Sequence, residues 1–293
     1  MIRRLSIFFL PAFSWLSGLL IIGALTVLVV WLLTNGLPTL GMKLIFDSVK
    51  PIDALMMRSI VFDGIFPAVA GTVLLVCGSV VCAVPAGVLT GIYLSEYAGE
   101  GVKKYFNIIY DILAGIPSIV IGLAGFSAAV FLHRHFSERI YPCILLSIVS
   151  LSLLILPYII RTTQISLGTV PYEIRTTAIA LGATKLQNIR FILLPQSISG
   201  IFSGIILATG RCAEDTAVIM LTGVAATAGI PRSLLQSYEA LPYYIYHVSS
   251  SFQNSDQLQS CYGAALLLLG ISICFFLVAS LIKNRLKHLL LYR

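Results

Sequence analysis

Six apolar stretches, each long enough to cross a bilayer as a helix, constrain this chain more than any other feature of its sequence. A membrane-spanning helix needs about 20 apolar residues, and only helices and closed barrels satisfy their backbone polar groups inside lipid. The first stretch is too long for the core of a signal peptide and no A-x-A cleavage pattern follows it, so we interpret it as an uncleaved anchor. The predicted spans are Phe8 to Leu33, Phe66 to Leu94, Ile108 to Leu132, Tyr141 to Ile160, Ile198 to Gly223 and Tyr262 to Ile282.

The composition excludes an ordinary soluble protein. Charged residues are 11% of the chain and apolar residues 58%, against about 25% and roughly 45–50% in soluble domains. We therefore predict an all-α polytopic membrane protein. It is divided into an N-terminal anchor with an outer connecting segment (1–65), a transmembrane domain (66–283) that contains an inner loop (161–195), and a basic tail (284–293).

The basic residues predict the orientation of the spans, because lysine and arginine are enriched on the cytoplasmic side of membrane proteins. The side that carries both termini has most of them, so we expect both termini in the cytoplasm. That side holds Arg3, Arg4, Lys103, Lys104, Arg161, Arg175, Lys185, Arg190, Lys283, Arg285, Lys287 and Arg293. The opposite side holds Lys43, Lys50, Arg58, Arg134, Arg139 and Arg232.

Motifs of catalysis, nucleotide binding and metal binding are missing from the sequence. It contains no G-x-x-x-x-G-K-[ST], no H-E-x-x-H, no C-x-x-C and no nucleophile elbow. His133 and His135 flank Arg134 without a neighbouring cysteine or carboxylate cluster, which favours a solvated loop over a metal site. We predict no catalytic residue, no metal and no bound cofactor in this chain.

The inner loop, from Arg161 to Pro195, is the most informative connection. Pro171 suits the first turn of a helix, and the spacing places Ile174, Ala178 and Leu181 on one helical face. Gly182 allows a tight turn, and a second short helix is expected to end before Pro195. Two interpretations remain open from this pattern: an element that a partner protein approaches closely, or an amphipathic connector resting on lipid headgroups.

This loop resembles the cytoplasmic loop of ABC-importer permeases, in which EAA is followed by a glycine and then by I-x-L-P. Gly182 matches the glycine, and the closing residues Ile192, Leu194 and Pro195 follow at the family spacing. The resemblance implies that the loop docks into a groove on an ATPase subunit. The family's glutamate is missing, because the EAA positions read Thr176, Thr177 and Ala178. The implied coupling residues are Glu173, Arg175, Thr176, Thr177, Ala178, Gly182 and Ala183.

Four further segments resemble the permeases of bacterial high-affinity phosphate importers, the A-type subunit more than its C-type sister. Residues 91–98 read GIYLSEYA and residues 113–123 read LAGIPSIVIGL. Residues 170–175 read VPYEIR, and residues 210–217 read GRCAEDTA, similar to the family's R-x-x-G-E-T-A. In the last segment Glu214 replaces glycine and Asp215 replaces glutamate. The resemblance spans about Phe66 to Ile282.

The resemblance implies a type I ABC-importer permease in the bacterial inner membrane that moves phosphate by alternating access. Its implied partners are a second permease subunit, two P-loop ATPase subunits that hold ATP and Mg²⁺, and a periplasmic phosphate-binding protein. Alternatives are a permease for another oxyanion, such as molybdate, sulfate or phosphonate, an intramembrane enzyme, or a non-transporting scaffold. The R-x-x-x-D/E-T-A pattern favours phosphate, and no nucleophile or metal constellation supports an enzyme.

The charged residues of the fifth span are the candidate substrate pathway: Arg211, Glu214, Asp215 and Thr216. A charge within a span is costly and usually faces protein or water, and the i+3 and i+4 spacings let both carboxylates share a face with Arg211. One interpretation is a structural ion pair. The other is a charged lining, in which the guanidinium binds phosphate oxygens and a carboxylate accepts the proton of hydrogen phosphate and repels sulfate.

The third span is punctuated by Gly115, Pro117, Ser118 and Gly122. Pro117 removes a helical hydrogen bond and should kink the span. Broken helices often line a substrate path or a gate, and a kink that serves only packing is the alternative. Glu96 and Tyr97 are expected at the inner membrane interface.

Overall fold

The computed structural model describes residues 2–46, 64–136, 138 and 141–291. Within these residues the regular structure is helical, apart from an isolated bridge between Val224 and Tyr238. Residues 47–63, which form most of the predicted outer connection, lie outside the described residues, as do Arg139 and Arg293. The helices are α1 (Ile2–Gly36), α2 (Met42–Phe46), α3 (Phe66–Ile92), α4 (Glu100–Gly115), α5 (Ser118–His135), α6 (Ile144–Gly168), α7 (Tyr172–Ala180), α8 (Lys185–Asn188), α9 (Leu194–Glu214), α10 (Ala217–Thr222), α11 (Leu241–Ser251) and α12 (Ser255–Leu291).

Six helical segments are long and apolar enough to cross a membrane, which confirms the predicted all-α polytopic fold. Their bounds are Pro11–Thr39, Phe66–Tyr97, Ser118–His135, Ile144–Gly168, Lys185–Glu214 and Ser255–Leu289. The first of them buries none of its apolar window within the chain. It touches α12 where the ring of Trp31 meets the ring of Tyr262 edge-on, with 4.8 Å between the centroids. Between Phe13 and Leu33 most large apolar side chains of α1 are exposed, as expected for a lipid-facing helix.

The third predicted span is two helices instead of one kinked helix. Ile116 and Pro117 have extended backbones, with ψ of 130° and 137°, and separate α4 from α5. The residue before a proline is pushed out of the helical region by the proline ring, which explains a complete break. Both helices pack against α6. Asn107 on α4 accepts a hydrogen bond from Gln164, and Gly125 on α5 lies against Ser150.

The fifth predicted span differs at both ends. At its start the helix does not end before Pro195, because the π-helical turn Ile189–Leu193 joins α8 to α9 without interruption. At its end α9 stops at Glu214 instead of continuing to Gly223, and α10 follows after Asp215 and Thr216.

The core lies between α3, α6 and α9, with α6 in the centre. Leu151 and Ile155 of α6 are fully buried there. Small residues allow the helices to approach closely, as is common in membrane bundles. A methyl group on Gly91 of α3 would lie 2.6 Å from Cβ of Thr163, and one on Gly87 would lie 2.7 Å from a methyl of Ile159. The remaining helices pack around this centre, α12 against α9 and α10 against α5.

Candidate functional site

The predicted element of two short helices and a glycine turn is present in the inner loop. Helix α7 begins directly after Pro171, and Gly182 has a φ of +84°, a conformation that only glycine adopts without strain. Helix α8 begins with a capping box in which the Thr184 hydroxyl accepts from the amide of Gln187 and the Gln187 side chain accepts from the amide of Thr184. The Thr-x-x-Gln pattern that signals this cap was available in the sequence.

The threonines at the EAA positions turn their hydroxyls back onto their own helix. The Thr177 hydroxyl donates to the carbonyl of Glu173 at 2.6 Å, and the Thr176 hydroxyl donates to the carbonyl of Tyr172 at 3.1 Å. This local bonding is usual for threonine within a helix. The outward group of both threonines is therefore a methyl group, whereas the family has a glutamate carboxylate at the first of these positions. Ala178, at the third position, is buried under the element.

The element has an exposed apolar surface, but it is not the predicted face. Ala178 is buried, whereas Leu181 is 84% exposed, so the expected stripe of Ile174, Ala178 and Leu181 is divided between the inside and the outside of the element. A groove of about 400 Å³ opens beside Gly182 and Ala183. Exposed apolar patches of this kind mark sites of contact with a protein partner or with a membrane. We call the exposed apolar side chains of this element its apolar patch: Tyr172, Ile179, Leu181, Leu186 and Phe191, of which Leu181 and Phe191 line the groove.

A charged anchor fixes the element to the rest of the chain. Arg175 forms an ion pair with Glu96 at 2.9 Å, and its guanidinium also donates to the carbonyls of Val170, at 3.2 Å, and Leu167. The side-chain amide of Asn188 on α8 donates to the backbone carbonyl of Arg175 at 3.0 Å. Glu96 and Asn188 were not among the predicted coupling residues, because their partners are distant in sequence.

Arg211 is exposed on α9 and does not form the predicted cluster with the two carboxylates. It makes no ion pair with a described residue, and its guanidinium lies 5.7 Å from the ring centroid of Tyr158. The i+4 relation to Asp215 fails because the helix ends at Glu214, and the Asp215 carboxylate caps α10 by accepting from the amide of Val218 at 2.9 Å. Glu214 is exposed, and Thr216 is half-buried between the two helices.

Two helix breaks lie close together in the bundle. Gly122, in the first turns of α5, lies against the start of α10, so that a methyl group there would come within 3.0 Å of the Ala217 carbonyl and of Val218. Ser118 begins α5 directly after the break at Pro117, whereas Gly115 has open space around it. Backbone groups released by such breaks are tolerated in membranes where they face protein or a polar cavity. The contact of Gly122 with the start of α10 brings the break before α5 near the segment that carries Arg211.

A second cavity, of about 700 Å³, lies at the opposite end of the bundle between the loop after α10, helix α11 and the start of α12. Glu239 lines it and accepts from the amide of Gly229 at 2.8 Å. Burial raises the pKa of the Glu239 carboxyl, and the hydrogen bond from Gly229 offsets part of that rise. Among the described residues no cluster of His, Cys, Asp and Glu could hold a metal ion.

A comparison with family models matches residues 83–288 to the family described as "Binding-protein-dependent transport system inner membrane component". The match includes the inner loop, both helix breaks and Arg211. The chain belongs to this family. The family comprises membrane components of transport systems, so the chain is a transport subunit and not an enzyme.

Relatives within this family are named phosphate transport permeases. PstA of Haemophilus influenzae is 30% identical over 245 residues, which cover 82% of this chain and 80% of that protein. PstA 1 of Mycobacterium tuberculosis is 32% identical over 221 residues, which cover 75% and 70% of the two chains. The match to PstA of Yersinia pestis, at 33% identity, covers 55% of this chain and 53% of that protein.

Solved structures of the family's fold include ABC-importer permeases. An inward-facing MetNI methionine ABC transporter aligns with a TM-score of 0.54 at 20% identity, covering 81% of this chain and 98% of that one. An amino acid ABC transporter crystallised with histidines aligns with a TM-score of 0.52 at 15% identity, covering 81% and 99%. At these identities the likeness establishes the fold, which is the predicted permease architecture.

Proposed function

We propose that this chain is the membrane-spanning permease subunit of an ATP-driven importer that moves inorganic phosphate across the bacterial inner membrane. The observation that carries the proposal is the family membership joined to relatives named phosphate permeases, one of which aligns over about four fifths of both chains. The segment from Gly210 to Ala217, which resembles the phosphate family, adds to it.

The proposed partners are a second permease subunit, two copies of a P-loop ATPase and a periplasmic phosphate-binding protein. The exposed apolar side chains of Tyr172, Ile179 and Leu181 support the ATPase as partner, because they lie between two spans, where contact with lipid tails does not explain them. The excess of lysine and arginine on the side of that loop supports a cytoplasmic position for it and for both termini. ATP and Mg²⁺ are held by the ATPase, since this chain has no P-loop sequence.

Arg211 is the proposed phosphate-binding residue of the pathway. Its planar guanidinium offers several N–H donors that match phosphate oxygens, and no carboxylate of a described residue neutralises it. Glu214 is exposed one turn further along α9, so its carboxylate is available to accept a hydrogen bond from the protonated oxygen of hydrogen phosphate. Sulfate has no such proton near neutral pH, and the same carboxylate would repel it.

The proposed transport cycle is alternating access. Closure of the ATPase pair on ATP pulls the inner loop, and the helices joined to it move so that the path opens to the other side. The breaks at Pro117 and between α9 and α10 are the points at which the bundle bends without unfolding its long helices. Gly122 permits the close contact of α5 and α10 at that point.

The test is ATP-dependent uptake of labelled phosphate by vesicles that contain this chain with its ATPase, second permease and binding protein. We expect uptake of labelled phosphate only when ATP is present on the side of the vesicle membrane that carries the ATPase. Excess unlabelled phosphate should suppress this uptake. Suppression by molybdate, sulfate or a phosphonate instead of phosphate would assign another oxyanion. A chain that binds no ATPase and moves no oxyanion would contradict the proposal and leave the scaffold alternative.

A further inference from the structure

The pair of Glu96 and Arg175 joins two parts of the chain that have different tasks in the proposed cycle. Glu96 lies at the inner end of the long segment that contains α3, and Arg175 lies in α7, within the exposed inner loop. We propose that Glu96 is a positioning residue, whose ion pair with Arg175 makes α7 and α3 move as one body. This inference rests on the proposed coupling of the loop to an ATPase.

The geometry of Arg175 favours a fixed orientation over a simple attraction. One guanidinium nitrogen donates to Glu96 at 2.9 Å, while the others donate to the backbone carbonyls of Val170 and Leu167 at the end of α6. A planar fork with several charge-assisted bonds holds an angle as well as a distance. The Glu96 side chain is only 9% exposed and that of Arg175 24%, so water competes little for these bonds.

A π-helical turn sets the direction of Glu96. Residues Tyr93–Tyr97 form this turn, which closes with a bond from the amide of Ala98 to the carbonyl of Tyr93 at 2.9 Å. Glu96 lies inside this widened turn, so its side chain leaves the backbone in a different direction from that in a regular α-helix. Such turns cost regular hydrogen bonding and are frequent at functional sites. The turn therefore aims the Glu96 carboxylate at Arg175.

Apolar packing surrounds the pair but does not fix an angle. Leu167, Val170, Ile189 and Leu193 form a small buried cluster beneath α7 and α8, with Ile92 of α3 packed against it. Apolar contacts are non-directional, so this cluster holds the element in place while allowing it to turn. The ion pair supplies a directional restraint between the loop and the segment that contains α3, next to the contact of the Lys185 ammonium with the ring of Tyr97, 4.8 Å from its centroid.

The first test compares phosphate uptake per ATP hydrolysed in reconstituted vesicles that contain the full complex. In Glu96→Ala we expect the ATPase to bind and hydrolyse ATP, while uptake per ATP falls about tenfold, within the usual range of coupling between sites. Glu96→Gln, which keeps the volume and one acceptor oxygen, should lie between. Glu100→Ala is the matched control, because Glu100 is exposed four residues further along and forms no ion pair with a described residue.

If the ion pair of Glu96 and Arg175 serves only folding, Glu96→Ala gives a different result. Glu96→Ala would then lower the yield of assembled complex, while the complexes that do assemble would keep the uptake per ATP of the wild type. That result would overturn the inference, and so would wild-type coupling in fully assembled Glu96→Ala.

The second test measures the distance between the two parts directly. Spin labels are placed at Leu89 on α3 and Ala180 on α7, both exposed and both outside the apolar patch, in a complex whose permease chain has its native cysteines replaced by alanine. We expect the same distance in the ATP-free and ATP-trapped states of the wild type, and different distances in Glu96→Ala. A wild-type distance that changes with ATP would overturn the inference. If the wild-type distance between α3 and α7 is unchanged by ATP but no phosphate is taken up, the proposed substrate is contradicted while the link between α3 and α7 stands.

Discussion

Arg211 carries a full charge within a membrane segment without an ion pair to a described residue. We predict that Arg211→Gln assembles as well as the wild type and takes up phosphate at least about tenfold more slowly, because charge-assisted hydrogen bonds are worth about 1.5–3 kcal/mol each. Arg211→Lys should recover part of the uptake, since it keeps the charge but loses the planar fork. The measurement is phosphate uptake by reconstituted vesicles at matched protein content.

The double variant Arg211→Gln/Asp215→Asn distinguishes a pathway residue from a structural pair. The Asp215 carboxylate already caps α10 through the amide of Val218, so its neutralisation should not restore uptake. Arg232→Gln is the control, because Arg232 is exposed in the loop between α10 and α11 and should be neutral. Near wild-type uptake by the double variant would favour the structural pair.

Gly182 illustrates a constraint that belongs to the backbone alone. No other atom lies within 4 Å of the position that a methyl group would take, yet φ is +84°, so a side chain meets strain and not a neighbour. We predict that Gly182→Val, with a strain of about 1–3 kcal/mol, lowers uptake per ATP while the spans still insert. Gly182→Asn should be mild, because asparagine tolerates this region. Equal loss in both variants would point to contact with the partner instead of backbone strain.

At the scale of elements, the apolar patch of the inner loop is the feature to test first. Burial of a leucine side chain at an interface is worth about 1.5–3 kcal/mol, so Leu181→Ser should weaken ATPase binding about tenfold without lowering the stability of the chain. Leu234→Ser, at an exposed leucine of the loop between α10 and α11, is the matched control. The readout is the amount of ATPase that co-purifies with each variant, and equal recovery from both would place the ATPase contact elsewhere.

The loop that carries Glu239 gives a prediction about pH. Because burial raises the pKa of this carboxyl, the ionised form costs stability, and that cost develops as the pH rises through the raised pKa. Glu239→Gln keeps an acceptor for the Gly229 amide and removes the charge. We expect the variant to unfold at a higher temperature than the wild type at pH 8, with the difference shrinking toward pH 5. A difference in unfolding temperature that does not change with pH would contradict this prediction. That constancy is expected of the control Glu100→Gln, because Glu100 is exposed.

The sequence predicted the helices well and their breaks less well, for a physical reason. Apolar runs determine which segments can span lipid, so all six spans were found. The break at Pro117 was predicted only as a kink, because the local sequence does not tell whether neighbours satisfy the released backbone groups. The end of α9 at Glu214 had no local signal, and the pairing of Glu96 with Arg175 joins residues 79 positions apart. Contacts of this kind depend on the packing of α3 against α6.

At the scale of the whole molecule, the residues proposed to function in transport lie on surfaces that are exposed in the isolated subunit. Arg211 and Glu214 are exposed on α9, and Leu181 and Phe191 are exposed on the inner loop. Members of this family are components of larger transport systems. Exposure of α9 and of the inner loop in the isolated chain is explained if another chain of such a system covers each of them. The N-terminal helix α1, which touches α12 and buries little else, lies outside the residues matched by the family model.

The orientation of the whole chain can be tested at Ala183, which lies in the turn between α7 and α8 and lines the groove there. We predict that Ala183→Cys reacts with a membrane-impermeant thiol reagent only after the cytoplasmic side is opened. It should also form a disulfide with a cysteine engineered into the surface groove of the ATPase. A cysteine at Ser233, on an exposed loop at the other end of the bundle, is the control and should be labelled from outside. Labelling of position 183 from outside in intact cells would reverse the topology, and with it the side from which the ATPase drives transport.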